Sequence, residues 1–596
     1  MKHVFLGLSL LLFSYHLHGQ HQLSQSKSER LFQKGSEMIA HQNYGAARKI
    51  FTEFLETASP SDPRRGDARY YVAFSALSLG HSDGEKLIDD FIAENPANTK
   101  AASAFYELAN FFYNEKNYTK ASHYYSKTDF PSLSQAQQSD AHFKWGYSLF
   151  TAKKLDAALE QFNLIKNQGT AYSPAANYYA GFIGYSKGDY QQALTDLKRA
   201  EANSAYANVV PYLIANIYYK QKDYDELITY ANAAKDREGL ANASDFYMLL
   251  AEAQYFKGDH RNAVANYEKY FGDNPGKAES PLLFRAGYAN YALSQVPKAI
   301  DYLAKAAAKK DSVSHYASYY LGILYLQKGE KTLAVNSFDH ARKIADDPAL
   351  AEEASFQFAK VSYDAGRPDQ AISEFEKFLT TYTKSAHTSE VKELLAQAYL
   401  NGNNFHKAIE YIEALPTRTP YVDQAYQKAT YLQGTELFNK EQYPDAVPYF
   451  EKSLKYPRDP AYVALASFWA AESYSIGRKF EEAIGHYTRV ASMGGKADAD
   501  ILAKAHYGLG YAFFNLTQYD KALASFREYV ARTDRGTANH VDALIRLADC
   551  YYVSKQYGPA LEHYNRARNI GSPDNDYILL QSGIINGIQR NYDEQR

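Results

Sequence analysis

The side chains that most often carry catalysis or bind metals are scattered through this sequence rather than grouped. Its 17 histidines come close together only around His16, His18 and His21. Adjacent carboxylates such as Asp89 and Asp90 point in different directions on a helix, which is typical of a solvated surface and not of an acid–base pair. The sequence has no nucleotide-binding loop ending in Gly-Lys-Ser/Thr, no His-Glu-x-x-His and no Gly-x-Ser-x-Gly. We therefore predict no catalytic residue, no metal site and no cofactor, and a protein that is not an enzyme.

Aromatic residues stand out instead, since the 596-residue chain contains 55 tyrosines and 32 phenylalanines. Rings with hydroxyl tips suit contacts with proteins and also stack on sugars. Many of these rings belong to a recurring pattern, in which an aromatic residue is followed three residues later by alanine and four further on by a second large side chain. The clearest copies begin at Tyr44, Tyr118, Tyr190, Tyr443, Phe480, Tyr519 and Tyr557. Weaker copies are centred on Leu87, Ala158, Leu227, Ala263, Ala299, Ala334, Ala371 and Ala408. Copies recurring about every three dozen residues indicate an internal repeat.

Each copy predicts two helices that form a hairpin. Tyr519, Ala522 and Phe526 recur at three- and four-residue steps, which places them on one face of a helix. Ala505 and Leu509 begin a similar stripe on a preceding helix, and a short polar turn separates the two. The alanine marks a close approach of two helices, where a larger side chain would overpack by about 1–3 kcal/mol. No segment shows the alternation of a strand, so the predicted fold is all-α.

The residues at this point resemble a known family. The stretch from Tyr212 to Leu227, which ends in Tyr-Tyr-Lys-Gln-Lys-Asp-Tyr-Asp-Glu-Leu, is similar to the consensus of the tetratricopeptide repeat (TPR), as is the stretch from Tyr507 to Ala522. The similarity covers residues 28–596, with a longer spacing than the family's own unit. It implies a TPR α-solenoid, a right-handed superhelix of about 15 helical hairpins plus a partial sixteenth, with an inner groove lined by the first helix of each hairpin.

The resemblance also implies which residues face that groove. They are the fifth and twelfth residues of each unit, which lie on the same face of the first helix and should form two aromatic columns. The predicted groove-binding residues are Tyr106, Tyr113, Phe143, Phe150, Tyr178, Tyr185, Tyr212, Tyr219, Tyr255, Tyr291, Tyr319, Tyr363, Tyr431, Phe438, Tyr507, Phe514 and Tyr552. The family favours aromatic residues at these positions for packing as well. Two hypotheses therefore stay open, a ligand-binding ladder and a purely structural one.

The beginning of the sequence predicts export. A short basic start is followed by an apolar run from Val4 to Tyr15 and by the small residue Gly19, which is the order of a secretory signal peptide. We assign residues 1–19 to that signal, 20–27 to a short polar segment and 28–596 to a continuous TPR array. The only cysteine, Cys550, lies too far downstream to carry a lipid after the signal. We predict a protein of the periplasm, or of the periplasmic face of the outer membrane, without a transmembrane segment.

Charge and repeat class together narrow the expected partners. A net charge of -3 provides no positive field for a phosphate backbone, so nucleic acid is excluded as a partner. The main hypothesis is a non-enzymatic scaffold of the Gram-negative cell envelope that binds other proteins in its aromatic groove. One alternative is a glycan- or nutrient-capture protein similar to the SusD-like lipoproteins. Another is the docking arm of a longer enzyme, because Asp576 to Ile588 predicts the first helix of a sixteenth repeat.

Overall fold

The computed structural model describes residues 26–276, 278–534 and 536–590. Within these ranges the chain forms α-helices and two short 3-10 turns, and no strand, so the predicted all-α fold is confirmed. The predicted signal peptide lies outside the described residues. The described chain divides into two compact units, and the division passes through the helix Ser280–Ala292, α15.

The first unit contains α1 to α14 and the last turn of α15. These helices are α1 Lys27–Ala40, α2 Tyr44–Thr57, α3 Arg65–Ser78, α4 Gly84–Glu94, α5 Thr99–Asn114, α6 Tyr118–Tyr125, α7 Gln135–Thr151, α8 Leu155–Ile165, α9 Ser173–Lys187, α10 Tyr190–Glu201, α11 Val210–Gln221, α12 Tyr224–Ala234, α13 Ala243–Phe256 and α14 His260–Asp273. A short 3-10 turn, Phe130–Ser132, precedes α7.

The second unit contains most of α15 and all later helices. They are α16 Val296–Ala307, α17 Val313–Gln327, α18 Lys331–Ala341, α19 Pro348–Asp364, α20 Pro368–Thr381, α21 Thr388–Asn401, α22 Phe405–Glu413, α23 Pro420–Asn439, α24 Tyr443–Lys455, α25 Pro460–Ile476, α26 Phe480–Met493, α27 Ala499–Asn515, α28 Tyr519–Arg532, α29 Ala538–Val553, α30 Tyr557–Ile570 and α31 Asn575–Ile588. Odd-numbered helices are the first helices of the hairpins, and even-numbered helices are the second.

One left-handed residue marks the turn inside each hairpin and follows each first helix by one or two positions. These residues are Gln42, Gly80, Lys116, Lys153, Gly188, Lys222, Gly258, Ser294, Gly329, Gly366, Asn403, Glu441, Arg478, Thr517, Lys555 and Arg590. The left-handed conformation is unfavourable by about 1–2 kcal/mol for a residue other than glycine. Most of these residues are not glycine, so helix packing, and not glycine, imposes the conformation of the turn. Arg590 follows α31, so the first helix predicted for a sixteenth repeat ends in the same turn as the others.

Short polar side chains begin several of the second helices. The N-cap side chains of Asn43, Asn117, Asp189, Asp259 and Asn404 each accept a hydrogen bond from the backbone N–H three residues later. Each such cap stabilises its helix by about 1 kcal/mol. The polar residues of the turn thus define where the second helix begins.

A glycine in many first helices receives a large side chain from the second helix 16 residues later. The pairs are Gly35–Phe51, Gly146–Phe162, Gly181–Leu197, Gly287–Leu303, Gly322–Phe338, Gly434–Phe450 and Gly510–Phe526. A methyl group on Gly510 would lie only 2.5 Å from Cε1 of Phe526. The alanines of the recurring pattern are completely buried in the second helices, as Ala47, Ala121 and Ala522 illustrate. Small residues therefore allow the close approach on both sides of the hairpin, as the pattern predicts.

Candidate functional site: the aromatic face of the first helices

The predicted groove residues all lie on first helices and none is fully exposed. Counting each first helix so that its small residue is the eighth, they occupy the fifth and twelfth positions. Tyr106 is buried, with 7% of its surface exposed, and the other sixteen are half-buried. This partial burial is compatible with both hypotheses, because a half-buried ring packs on one side and leaves an edge for a ligand.

Rings at the fifth position pack against the large residue of the second helix in the same hairpin. The centroid separations are 6.0 Å for Phe143–Phe162, 5.8 Å for Tyr319–Phe338, 6.2 Å for Tyr431–Phe450 and 6.1 Å for Tyr507–Phe526. These rings therefore close the hairpin core. Part of the predicted first column is structural.

Rings at the twelfth position pack across the turn against the residue that opens the second helix, five positions later. The contacts are Tyr113–Tyr118, Tyr185–Tyr190, Tyr219–Tyr224, Tyr255–His260, Phe438–Tyr443, Phe514–Tyr519 and Tyr552–Tyr557, at 5.0–6.3 Å. Aromatic pairs of this geometry contribute about 0.5–1.5 kcal/mol beyond their buried area. The second column thus holds the turn in place.

Three neighbouring first helices of the first unit also touch each other through rings. The centroids of Tyr113 and Tyr147 are 6.0 Å apart, those of Tyr147 and Tyr179 are 5.5 Å apart, and those of Phe150 and Phe182 are 5.8 Å apart. Tyr147 and Phe182 occupy the ninth position and were missed by the sequence analysis. Each lies four residues after a fifth-position residue, and residues four apart share a helix face. This spacing could have predicted them from the sequence.

We call the fifth, ninth and twelfth residues of α5, α7, α9 and α11 the aromatic wall. Its members are Tyr106, Asn110, Tyr113, Phe143, Tyr147, Phe150, Tyr178, Phe182, Tyr185, Tyr212, Asn216 and Tyr219. Every member is uncharged. Some other first helices hold a charged residue at one of these positions, for example Lys360 on α19 and Glu393 on α21, whereas α27 is aromatic at all three. The wall is therefore the one run of four first helices in the described chain where this face is aromatic and amide throughout.

Some tyrosines of the first-helix face donate their hydroxyls to a carboxylate of the next hairpin. Tyr106 donates to Asp140 at 2.9 Å, and Tyr507 and Tyr511 both donate to Asp542, at 2.7 and 2.5 Å. Burial and the bond to Asp542 raise the pKa of Tyr511 to about 12 and raise the pKa of Tyr507 as well. The hydroxyl of Tyr219 on α11 donates in the same way to Glu252 of the next hairpin, at 3.0 Å. We call these four the paired tyrosines, because their hydroxyls tie one hairpin to the following one.

A second kind of hydrogen bond explains why several first helices carry an acidic residue at the ninth position. In four hairpins the large residue of the second helix is a tyrosine, and its hydroxyl donates to a polar side chain at the ninth position of the first helix. The pairs are Tyr125–Asn110, Tyr267–Glu252, Tyr487–Glu472 and Tyr564–Asp549. In all four the eighth residue is alanine, whereas the hairpins with glycine there carry phenylalanine or leucine opposite. A buried hydroxyl needs an acceptor, and the ninth residue provides it.

Burial affects the protonation of these acceptors. It raises the pKa of Glu472 and of Asp549 above their ordinary values, in spite of the tyrosine hydroxyls that each accepts. The pKa of Glu107 on α5 is raised by burial too. The carboxyls of Glu472 and Asp549 are thus engaged in the fold and are not a free acidic surface.

Other tyrosines form the opposite group, because no hydrogen bond from their hydroxyls exists among the described residues; Tyr431 on α23 and Tyr552 on α29 are two of them. Five lie on α5, α9 and α11, on or beside the wall. They are Tyr113, Tyr178, Tyr179, Tyr185 and Tyr212. Four of these rings contact other rings; for example, Tyr178 stacks on Tyr206 at 4.9 Å and Tyr179 on Phe162 at 5.5 Å. The fifth, Tyr212, packs against the hydrophobic core around α11. We call these five the unpaired tyrosines. Their rings are positioned while their hydroxyls remain available as donors.

The remaining chemically active groups do not form a site in the described part of the chain. The Cys550 thiol is buried, and burial raises its pKa to about 12, so it is a poor nucleophile. Over residues 26–276, 278–534 and 536–590, no cluster of three potential metal ligands is found, and no helix has the length and apolarity needed to cross a membrane.

The hairpins, with their small-to-large packing and one left-handed residue per turn, define a helical-repeat protein. Sequence comparison specifies the class further: the SusR N-terminal TPR domain matches residues 14–144, and the tetratricopeptide repeat model matches 284–348, 356–423, 431–500 and 507–576. Together these matches cover more than half of the chain, which belongs to the tetratricopeptide repeat family. The repeat is in general a non-catalytic module for binding other proteins.

Several solved structures are similar to the chain. The MamA protein is 20% identical, with 31% of this chain and 92% of that chain covered and a TM-score of 0.25. A tetratricopeptide repeat protein from Parabacteroides merdae is 13% identical, with coverage of 44% and 99% and a TM-score of 0.27. The TPR domain of P58(IPK) is 17% identical, with coverage of 70% and 98% and a TM-score of 0.21. Comparison with curated proteins finds no match.

Proposed function

We propose that this protein is a non-enzymatic scaffold that binds a segment of another protein along the aromatic wall. The observation that supports the proposal is the wall itself, in which four consecutive first helices present rings, amides and unpaired hydroxyls without one charged side chain at the three facing positions. Rigid rings lose little side-chain entropy on binding and offer both apolar and polar contact. The other predicted groove residues, from Tyr255 to Tyr552, lie outside the wall and are not part of this proposal; that they bind a ligand stays a prediction of the sequence alone.

The place of action that we propose is the Gram-negative cell envelope, in the periplasm or at the periplasmic face of the outer membrane. The basic, apolar and small residues in order at the start of the sequence support export. A match to a SusR-type TPR domain over residues 14–144 is compatible with an envelope association. Fractionation of cells that express the full chain tests this; recovery in the cytoplasm would contradict it.

Site-specific photocrosslinking in cells tests the binding surface. A photoreactive phenylalanine analogue in place of Tyr212 should crosslink to a discrete partner, since Tyr212 lies on the wall. The matched control is the same analogue in place of Leu164, which is 54% exposed on the second helix α8. Crosslinks from Tyr212 alone support the proposal. Equal crosslinks from both positions, or crosslinks only from Leu164, would overturn it.

Glycan capture is a second candidate, favoured by the same lack of charge. Neutral rings with free hydroxyls stack on sugars and donate to their oxygens. A competition experiment distinguishes the two functions. If neutral oligosaccharides bind the purified chain and prevent the Tyr212 crosslink, the glycan function replaces the protein-binding one.

A further inference from the structure

The last described first helix, α31, exposes large apolar side chains. Gly583 is its small eighth residue, because the left-handed Arg590 follows it by seven positions, which is the spacing in the hairpins of α27 and α29. The fourth, fifth and ninth residues of α31 are then Leu579, Leu580 and Ile584, and their exposed fractions are 47%, 61% and 38%. Residues three and four apart are neighbours on a helix, so these side chains surround the glycine and form an apolar hollow.

The equivalent side chains of the preceding first helix are covered. On α29 the fourth, fifth and ninth residues are Leu544, Ile545 and Asp549, with 0%, 0% and 6% of their surface exposed. Asp549 accepts hydrogen bonds from Tyr564 of the second helix α30 and from Tyr577 of α31. A second helix and the next hairpin thus cover this face of α29, whereas no helix of the described chain covers it on α31.

The hairpin of α27 shows which side chain fills such a hollow. Phe526 packs against the eighth residue, Gly510. The centroid of its ring lies 6.1 Å from that of Tyr507 at the fifth position and 5.4 Å from that of Tyr511 at the ninth. On the second helix α28, Phe526 stands four residues after the buried Ala522. The same three positions of α31 hold a glycine between two apolar side chains.

The ninth residue of α31 restricts the side chain that can enter. Where a tyrosine enters from the second helix, the ninth residue of the first helix accepts its hydroxyl, as Glu472 does for Tyr487. Ile584 has no acceptor at that position, so a tyrosine hydroxyl would be buried without a hydrogen bond. The hairpins with glycine at the eighth position carry phenylalanine or leucine opposite it. The hollow of α31 therefore fits phenylalanine or leucine.

We propose that the exposed face of α31 binds an amphipathic α-helix of a partner protein, which takes the place of a second helix on this face. The partner helix carries an alanine and, four residues later, a phenylalanine or leucine that enters the hollow around Gly583. Continuity with the covered face of α29 supports a helix as the occupant, because second helices take this place in the described hairpins. This surface is distinct from the aromatic wall, so the inference goes beyond the proposed function.

A peptide taken from this chain tests the inference on the whole protein. The probe is a capped, fluorescently labelled peptide with the sequence of α28, Tyr519–Arg532, which contains Ala522 and Phe526 at the required spacing. The control peptide carries Phe526→Asp. Fluorescence anisotropy should show saturable binding of the first peptide and at least about tenfold weaker binding of the second. Equal affinity for the two peptides, or no saturable binding of the first, would overturn the inference.

Substitutions in the chain show where the peptide binds. Leu580→Asp with Ile584→Asp places charges on the exposed face of α31 and should weaken peptide binding by about tenfold or more. The matched control is Leu164→Asp on α8, which is 54% exposed and should leave binding unchanged. Because the substituted side chains are exposed, thermal unfolding of both variants should match that of the native chain. Equal loss of binding in both variants would place the site elsewhere and overturn the inference.

A second copy of this chain is the alternative occupant, and sedimentation of the native chain without peptide measures it. A monomer that binds the peptide supports the inference. A dimer that excludes the peptide and that Leu580→Asp with Ile584→Asp dissociates would show that α31 pairs with itself, and would overturn it. The proposed function fails separately, because the Tyr212 crosslink depends on the aromatic wall and not on α31.

Discussion

Tyrosines at equivalent repeat positions behave differently on α9 and on α27. Tyr507 and Tyr511 on α27 donate to Asp542 in the next hairpin, whereas Tyr178 and Tyr185 on α9 have no such acceptor among the described residues. The rings pack in both regions. On these two helices, a bonded acceptor one repeat later, and not the residue type, distinguishes a tyrosine that ties two hairpins together from one whose hydroxyl donates to no described residue. Substitutions should have their largest effects in the region of α27 to α31, where tyrosine hydroxyls are bonded to carboxylates.

Removal of a shared acceptor should have the largest effect. Asp549 is buried and accepts from Tyr564 at 2.5 Å, Tyr577 at 3.0 Å and Arg546 at 2.6 Å. We expect Asp549→Ala to lower the free energy of unfolding by about 3–5 kcal/mol, because it leaves a guanidinium and two hydroxyls without their acceptor. Denaturant unfolding combined with hydrogen exchange over α29 to α31 measures it.

The control for this variant is an exposed ion pair. Asp156 is bonded to Lys187 at the surface, and Asp156→Ala should change stability by less than about 1 kcal/mol. If Asp549→Ala and Asp156→Ala lower the free energy of unfolding by the same amount, the bonds from tyrosine hydroxyls to Asp549 do not stabilise α29 to α31.

Overpacking should destabilise the hairpins of α9 and α27 alike, because a glycine faces a large side chain in both. We expect Gly181→Ala and Gly510→Ala each to cost about 1–3 kcal/mol, because the new methyl would lie 2.7 Å from Leu197 and 2.5 Å from Phe526. The control, Gly485→Ala on α26, meets no atom within 4 Å and should stabilise by about 0.5–1 kcal/mol. Thermal unfolding of the three variants is the measurement. If only one of the two substitutions lowers the stability, the hairpins of α9 and α27 differ in packing and not only in the hydrogen bonds of their tyrosines.

Stability should depend on pH through Glu472. Burial raises its folded-state pKa above the ordinary value of 4.5, so the folded state holds the proton more tightly than the unfolded state does. The contribution is therefore most favourable below pH 4.5, and it is lost as the pH rises from 4.5 through the raised value. Each tenfold difference in proton affinity between the folded and unfolded states corresponds to about 1.4 kcal/mol of stability.

Glu472→Gln isolates this effect. The glutamine still offers a carbonyl oxygen to Tyr487 but does not ionise, so the variant should lack this part of the pH dependence and be more stable than the native chain at neutral pH. Unfolding curves at pH 4 and pH 7 compare the two. If the stability of the variant changes between pH 4 and pH 7 by as much as that of the native chain, Glu472 does not titrate in this range.

The smallest effect on stability is expected in the unpaired region. Tyr178→Phe removes a hydroxyl that has no hydrogen-bond partner in the described chain and leaves the ring stacked on Tyr206. We expect a change in the free energy of unfolding within about 0.5 kcal/mol. A loss above about 1 kcal/mol would show that the hydroxyl is engaged in the fold.

The sequence alone predicts the fold well because the repeat is a local signal. The aromatic-x-x-Ala pattern places the second helices correctly, with Tyr519 as the first residue of α28 and Ala522 completely buried. The sixteenth first helix is predicted from residue 576 and observed from Asn575. These features depend on residues within one hairpin, where three- and four-residue spacing is decisive.

The site is predicted less completely, because its decisive contacts join different hairpins. The sequence places Tyr106 and Tyr507 on the first-helix face, but their acceptors Asp140 and Asp542 lie 34 and 35 residues away. No helical periodicity links residues so distant. Alignment of successive repeats would show an aspartate three positions before the fifth residue of the next unit in both cases. Whether the groove residues bind a ligand stays a prediction.

We propose that the paired tyrosines stabilise the fold and that the unpaired tyrosines of the wall bind the partner. The most direct test compares two double variants, Tyr507→Phe with Tyr511→Phe and Tyr178→Phe with Tyr212→Phe, in unfolding experiments and in binding to the partner that crosslinks at Tyr212. We expect the first to lose about 1–3 kcal/mol of stability and keep its affinity, and the second to keep its stability and lose affinity. Equal losses of stability in the two variants, with equal affinity, would contradict the claim.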